Sequence, residues 1–354
     1  MKKRLALRVS PVIVHTIQTF LGKVLIIFAG VIHMKKTIIA ASIAAVVAAP
    51  AAFADVSVYG KAHIAMSQVD NGGTTADVDS IDSRASRFGI KSVEDLGNGM
   101  KMTAVAEFEH NAMDQSGSGA TINARDSYVA LSGDFGTVAA GRMAAPTKAV
   151  LYGTGNVQLA DANKGNDFAG GFKSKGNING GTQATTNAGR TSNAIAYKNS
   201  FNGVNVAIAT VGNDSNDNMA HTSFAISGDI AGAHVGLAQT DVDGVQKTTI
   251  AGAKMSFGAL TAGLVYEDVN SDTASSDFDT TGLSLSYAMG ANVLSASMSE
   301  RDGDTASLKE DRYNLGLEHK LSKKSSVYVS YADVDKDGVN SDSETVSIGM
   351  IHNF

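Results

Sequence analysis

From Asp55 to Phe354 the chain repeats one pattern: short stretches in which apolar and polar residues alternate one by one. In Asp55–Ser67, Val56, Val58, Gly60, Ala62, Ile64 and Met66 share one face, while Ser57, Tyr59, Lys61, His63 and Ser67 share the other. A period of two is that of a strand with one apolar and one polar side. Arg84–Val93 sets Phe88 and Ile90 against Arg87 and Lys91. Lys101–Glu109 sets Met102, Ala104, Ala106 and Phe108 against Lys101, Thr103, Glu107 and Glu109. The pattern returns in Asn123–Leu131, Thr137–Arg142, Thr191–Lys198, Val204–Val211, Thr222–Ser227, Ala233–Thr240, Gln246–Ser256, Leu260–Asp268, Asp279–Ala288, Val293–Glu300, Asp311–Leu321, Ser326–Val334 and Ser343–Phe354. That predicts about sixteen strands, each near the ~10 residues of a tilted membrane strand. No segment after Asp55 is apolar for long enough to cross a bilayer as a helix.

Short and long connections alternate between these strands. The short ones, such as Asp95–Gly99, Gly133–Gly136 and Phe201–Gly203, carry the Gly and Asn of tight hairpins. The long ones, near 68–82, 110–121, 143–189, 212–218, 241–245, 269–276, 301–309 and 335–342, are polar. This alternation makes the strand number even and puts both termini at the short-turn end. A sheet this large is expected to close on itself, because closure removes its edges. Inside lipid closure is obligatory, since each unpaired backbone group would cost several kcal/mol. The expectation is therefore an all-β fold: a closed antiparallel transmembrane barrel with apolar side chains outward and polar ones inward.

The connection from Met143 to Gly189 is the longest. It is punctuated by Gly153, Gly155, Gly165, Gly170, Gly171, Gly176, Gly180 and Gly181, and reads as irregular throughout. A loop of this length in a compact domain is usually functional or disordered. It is expected to fold into the space that the strands enclose.

Charge is distributed unevenly. Residues 1–54 hold seven basic residues and no acid. Taking those seven from the 29 Lys and Arg leaves 22, against all 35 Asp and Glu, for the rest. An acidic body argues against nucleic acid as a partner, because phosphate contacts need Lys and Arg. The chain has no Cys, which excludes a disulfide scaffold, a thiolate metal site and a Cys nucleophile.

Met34-Lys35-Lys36 followed by the apolar Thr37–Ala49 and by Ala52-Phe53-Ala54 has the three parts of a secretory signal. Residues 34–54 are expected to be a cleaved signal peptide and 55–354 the mature barrel. Residues 1–33 read as an upstream extension or a mis-assigned start.

Other chemistry is weakly represented. Asp333 to Glu344 fits the spacing of a calcium loop, but its flanks read as strands and that motif needs helices. A plain turn is expected there, with no metal and no cofactor. The histidines are scattered, and no G-x-S-x-G elbow, P-loop or dinucleotide fingerprint occurs. Nothing points to an enzyme.

Four motifs carry a family likeness. They are Val58-Tyr59-Gly60-Lys61; Ser86-Arg87-Phe88-Gly89-Ile90-Lys91 leading to Glu94-Asp95-Leu96-Gly97-Asn98-Gly99; Gly133-Asp134-Phe135-Gly136 leading to Gly141-Arg142; and a terminal Phe354. Together they resemble the general diffusion porins of Gram-negative outer membranes. The resemblance implies a trimeric sixteen-stranded barrel whose third long loop, Met143–Gly189 here, narrows a water-filled pore. It implies lipid and lipopolysaccharide around the barrel, and ions and small hydrophilic solutes within. The alternative is a non-conducting structural or adhesin barrel with a plugged lumen. Strand parity and the resemblance nominate Lys61, Arg87, Lys91 and Arg142 on the wall and Asp161 and Asp167 on the loop as residues of the constriction. Strict parity from Val138 and Ala140 sends Arg142 outward, so it needs a bulge to face the pore. The acidic body points to cations, and the Lys and Arg of the narrowing point to anions.

Overall fold

The structure is a computed structural model and describes residues 54–72, 77–111, 113, 122–163, 167–175, 189–211, 221–242, 245–272, 276–337 and 342–354. The stretch 1–33 and the leader 34–54, apart from Ala54, lie outside the described residues. So do residues 164–166 and 176–188 of the long loop and 338–341 of the acidic motif.

The alternating stretches form one antiparallel sheet of seventeen strands. In chain order these are β1 (Asp55–Asp70), β2 (Val78–Ser83), β3 (Arg87–Gly97), β4 (Met100–Glu109), β5 (Asn123–Gly133), β6 (Gly136–Ala144), β7 (Arg190–Phe201), β8 (Val204–Val211) and β9 (His221–Ile230). They continue with β10 (Ala233–Val242), β11 (Gln246–Phe257), β12 (Leu260–Ser271), β13 (Phe278–Met289), β14 (Asn292–Gly303), β15 (Glu310–Lys320), β16 (Ser325–Lys336) and β17 (Ser343–Asn353). β1 pairs with β17 from Lys61 opposite Asn353 to Asp70 opposite Glu344, which seals the cylinder. Phe354 completes the seam: its N–H donates to the Gly60 carbonyl at 3.1 Å, and its own carbonyl accepts the Gly60 N–H at 3.2 Å.

The other edge of β1 meets β2 along its second half and β3 along its first. β2 and β3 therefore share one wall position, and the barrel is sixteen-stranded. The break between them is patched by Ser86, whose hydroxyl donates to the His63 carbonyl and accepts the His63 N–H, each at 3.0 Å. Ala85 sits at φ +49° in this break. The alternation predicts a connection over 68–82, but β1 runs on to Asp70 and all of β2 but Ser83 falls in that range. Val78 and Ile81 are three residues apart, so β2 lacks the period-two signature.

Polarity is inverted relative to a soluble barrel. Val58 is 66 % exposed and Ile348 63 %, whereas His63, Thr248, Glu267 and Ser347 on the alternate positions are fully buried. Apolar atoms face outward and polar ones face the interior, as a bilayer requires. An apolar core does exist, but it lies inside the cylinder, where Val150, Leu151, Phe168, Ala169 and Phe172 of the long loop meet Ala238, Ile250 and Val265 of the wall. Asp333 and Glu344, the ends of the calcium-like motif, face each other across β16 and β17. Its flanks are strands, and among the described residues no group of three or more His, Asp or Glu could hold a metal.

Candidate functional site

The long loop is not irregular throughout, because Pro146–Thr154 form a helix, α1. Pro146 stands in the first turn, where its missing N–H is harmless. Thr147, Val150, Leu151 and Thr154 recur at helical spacing and, with Pro146, are the residues that α1 buries. Nine residues are too few for a stable isolated helix, so docking on the wall holds α1 in place.

The wall is cut to receive the loop. A Cβ at Gly252 on β11 would stand 2.1 Å from the Thr154 hydroxyl, and one at Gly282 on β13 would stand 2.6 Å from the Phe168 ring. Glycine inside a strand often marks such a close approach. Beyond α1, the Asn156 amide donates to Ser286 Oγ at 3.2 Å and to the Thr261 carbonyl at 3.1 Å. The Ser330 hydroxyl donates to Asn163 Oδ1 at 2.8 Å. Ala162 packs on Ala65 and Tyr328, so the tip reaches β1. The described parts of the loop run along β9 to β16, touch β1 at Ala65, and leave the arc from β3 to β7 facing the remaining space.

That arc, with β1 beside it, carries a dense set of charges. Lys61 on β1 lies directly opposite Arg87 on β3. Glu107 on β4 is the hub: Arg125 Nε lies 2.5 Å from its Oε1, and Arg87 Nε and Arg190 Nη2 lie 4.0 Å away. Arg125 also pairs with Glu109, and Arg190 Nε donates to Asp126 Oδ1 at 2.9 Å. Adjacent residues Arg125 and Asp126 both join this set because the register shifts between Ala106 and Phe108, where two residues of β5 oppose one of β4. On the loop side, burial pulls the Lys148 ammonium down to about 8, and Arg190 and Arg125 add to that effect.

The nominated residues fall in different places. Lys61 and Arg87 are cross-strand neighbours on the inner face, and the Asp161 carboxylate is within electrostatic reach of Lys61. Arg142 lies at an irregularity: the register between β6 and β7 shifts between Gly141 and Met143, with Gly141 at φ +139° and Asn193 at φ +53°. Its guanidinium donates to Ser192 Oγ at 2.7 Å and to the Ala124 carbonyl at 3.3 Å. Lys91 is four residues from Arg87, roughly 13 Å further toward the short turns, and is exposed. Asp167 is 3 % exposed; Oδ1 accepts the Gly170 N–H and Oδ2 the Asp161 N–H, so its carboxylate is bound into the loop itself.

Sequence reasoning did not single out Glu107, Arg125, Asp126 or Arg190. The adjacent charges Arg125 and Asp126 inside a strand were the available sign of a bulge. It also passed over Glu267, Arg301, Glu310 and Arg312, a buried network on β12, β14 and β15 beneath the loop's return leg. A single Glu after Val265 and Tyr266 was the sign there. What the arrangement offers is a passage bounded by the loop on one side and fixed charges on the other. It can sort solutes by size and charge.

A family model described as "Gram-negative porin" matches residues 40–339. "Outer membrane porin protein 32" of Delftia acidovorans is 28% identical over 335 residues, covering 91% of this chain and 86% of that protein. Among solved structures, an "anion-selective porin from Comamonas acidovorans" superposes with a TM-score of 0.70 at 24% identity, over 85% of this chain and all of that one. A trimer form of OmpT, an outer membrane protein of Vibrio cholerae, superposes with a TM-score of 0.62 at 13% identity, over 85% and 99% of the two chains. At these identities the superpositions bear on the fold.

Proposed function

The chain belongs to the Gram-negative porin family, and from that membership we propose that solutes cross the barrel between the inward loop and the charged arc of β3 to β7. The protein is an outer-membrane channel for passive diffusion of ions and small hydrophilic solutes. Its relatives are channels rather than enzymes. The observation that carries the route is the loop's one-sided attachment: α1 and residues 156–163 and 167–175 lie against β9 to β16, across from Arg87, Arg125 and Arg190. Planar-bilayer recording tests it: purified trimers should give stepwise conductance, and folded protein that never conducts would refute the route and favour a plugged structural barrel.

Within that passage Lys61, Arg87, Arg142, Lys148 and Asp161 are proposed to line the narrowest level together with Arg125, Arg190 and Glu107. Lys91 would act nearer the short-turn mouth. Positive groups outnumber negative ones in this set, which favours anions despite the acidic body. The Comamonas relative described as anion-selective supports that preference. A salt-gradient reversal potential of the cation-selective sign would overturn it.

Three finer readings accompany this one. Export would follow cleavage after Ala54, so mass spectrometry of outer-membrane protein should find Asp55 at the N-terminus. Lipid and lipopolysaccharide would contact the outward apolar belt. A homotrimer is supported by the trimeric Vibrio neighbour and by a groove on the outer face of β3 to β6, where Ala104, Ala106 and Ala140 replace the larger side chains found elsewhere. Small residues let two walls approach closely.

A further inference from the structure

The two legs of the inward loop are held in different ways. The outgoing leg rests on the α1 helix, on wall glycines and on amide–hydroxyl bonds at Asn156 and Asn163. The return leg has Phe168 and Phe172 seated over Gly282, and then turns on one charged post. That post is Glu267 on β12, which is fully buried. Its Oε2 accepts the Lys173 N–H at 2.6 Å, and its Oε1 accepts the Ser174 N–H at 2.9 Å as well as the Ser174 hydroxyl. Arg301 donates to the Gly171 carbonyl a few residues earlier and is itself held by Glu310 and the Phe278 ring.

Two consecutive loop residues thus direct two backbone N–H groups and one hydroxyl at one carboxylate. A buried carboxylate is costly unless hydrogen bonds satisfy both of its oxygens, and here the loop supplies three of them. Ser174 is itself fully buried. We propose that Glu267 is a positioning residue for permeation: by pinning Lys173 and Ser174 to the wall it keeps the return leg out of the passage and fixes the channel's aperture. It touches no permeating solute. The inference rests on the channel reading above.

Glu267→Gln is the sharpest probe, because it keeps shape but turns one oxygen into a donor that faces a donor. The expected result is a barrel with native β-sheet circular dichroism, loss of a single steady conductance level, and slower swelling of proteoliposomes in the larger sugars. Ser174→Ala removes one donor from the loop without touching the wall, and should show a weaker form of the same instability. The chain has no cysteine, so Glu267→Cys with Ser174→Cys forms a unique pair. A short bis-methanethiosulfonate linker across that pair should restore the steady level, and reduction should abolish it again. A structural role confined to folding would not respond to the linker. Steady wild-type conductance in Ser174→Ala and in the unlinked pair overturns the proposal. Absence of conductance from the wild type would instead refute the channel reading.

Discussion

The close seating of α1 on the wall can be tested at Gly252. Gly252→Ala places a methyl 2.8 Å from Thr154 Cβ, 2.1 Å from Thr154 Oγ1 and 3.0 Å from the Leu264 carbonyl. Against a carbon–carbon contact of ~3.5 Å, the first distance alone requires a shift of ~0.7 Å. The wall strand cannot yield, because Gly252 is paired on both sides, with Gly236 and Val265. Rotating Thr154 would release its hydroxyl from the Val150 carbonyl, a 2.7 Å bond worth about 1 kcal/mol. Moving α1 away from the wall would open the packing around Leu151, and overpacking of this kind costs about 1–3 kcal/mol. Because the barrel's own ladder is untouched, the variant should still assemble. It should lose thermal stability, measured by circular dichroism melting. Its single-channel conductance should fall as α1 moves toward the lumen. Thr154→Gly removes both clashing atoms from the last helical residue, so the double variant should regain conductance beyond the sum of the single effects. Unchanged conductance and melting in Gly252→Ala would refute the argument.

Charge changes on the arc should move selectivity in opposite directions. Arg125→Gln should shift the reversal potential toward cations and Glu107→Gln toward anions; a change on the order of 1 kcal/mol in one ion's barrier alters the permeability ratio roughly fivefold. Anion preference should decline as pH rises through about 8, where burial makes Lys148 lose its proton earlier than an exposed lysine does, and Lys148→Met should flatten that dependence. Asp161→Asn should alter the reversal potential with little effect on the steadiness of the current. Asp167→Asn should do the reverse, because it weakens a cap worth about 1 kcal/mol that holds the loop together.

The barrel was legible in the sequence because its wall repeats a local rule. Val204–Val211 has the bounds that its alternation gave, and most other strands extend only a residue or a few beyond theirs. The rule failed where the backbone departs from it. β2 was hidden by the spacing of Val78 and Ile81, and α1 by the glycines around a real helical spacing at Thr147, Val150, Leu151 and Thr154. The charged arc was only partly legible for the same reason. Lys61 and Arg87 lie on regular strands, so parity placed them on the polar face. Arg125 and Asp126 enter through a bulge, which parity cannot express. Glu267 was illegible because its partners, Lys173 and Ser174, are 94 and 93 residues away in the chain.

The central claim is that the polar face of the wall meets a water-filled passage and the apolar face meets lipid. Without native cysteines, single substitutions can be read in a planar bilayer with a charged, membrane-impermeant thiol reagent. Lys61→Cys and Arg87→Cys should be modified from the aqueous side with a stepwise loss of current, while Ile64→Cys and Ile90→Cys on the alternate positions should be inert. Current block at Ile64 and Ile90, with none at Lys61 and Arg87, would contradict the account.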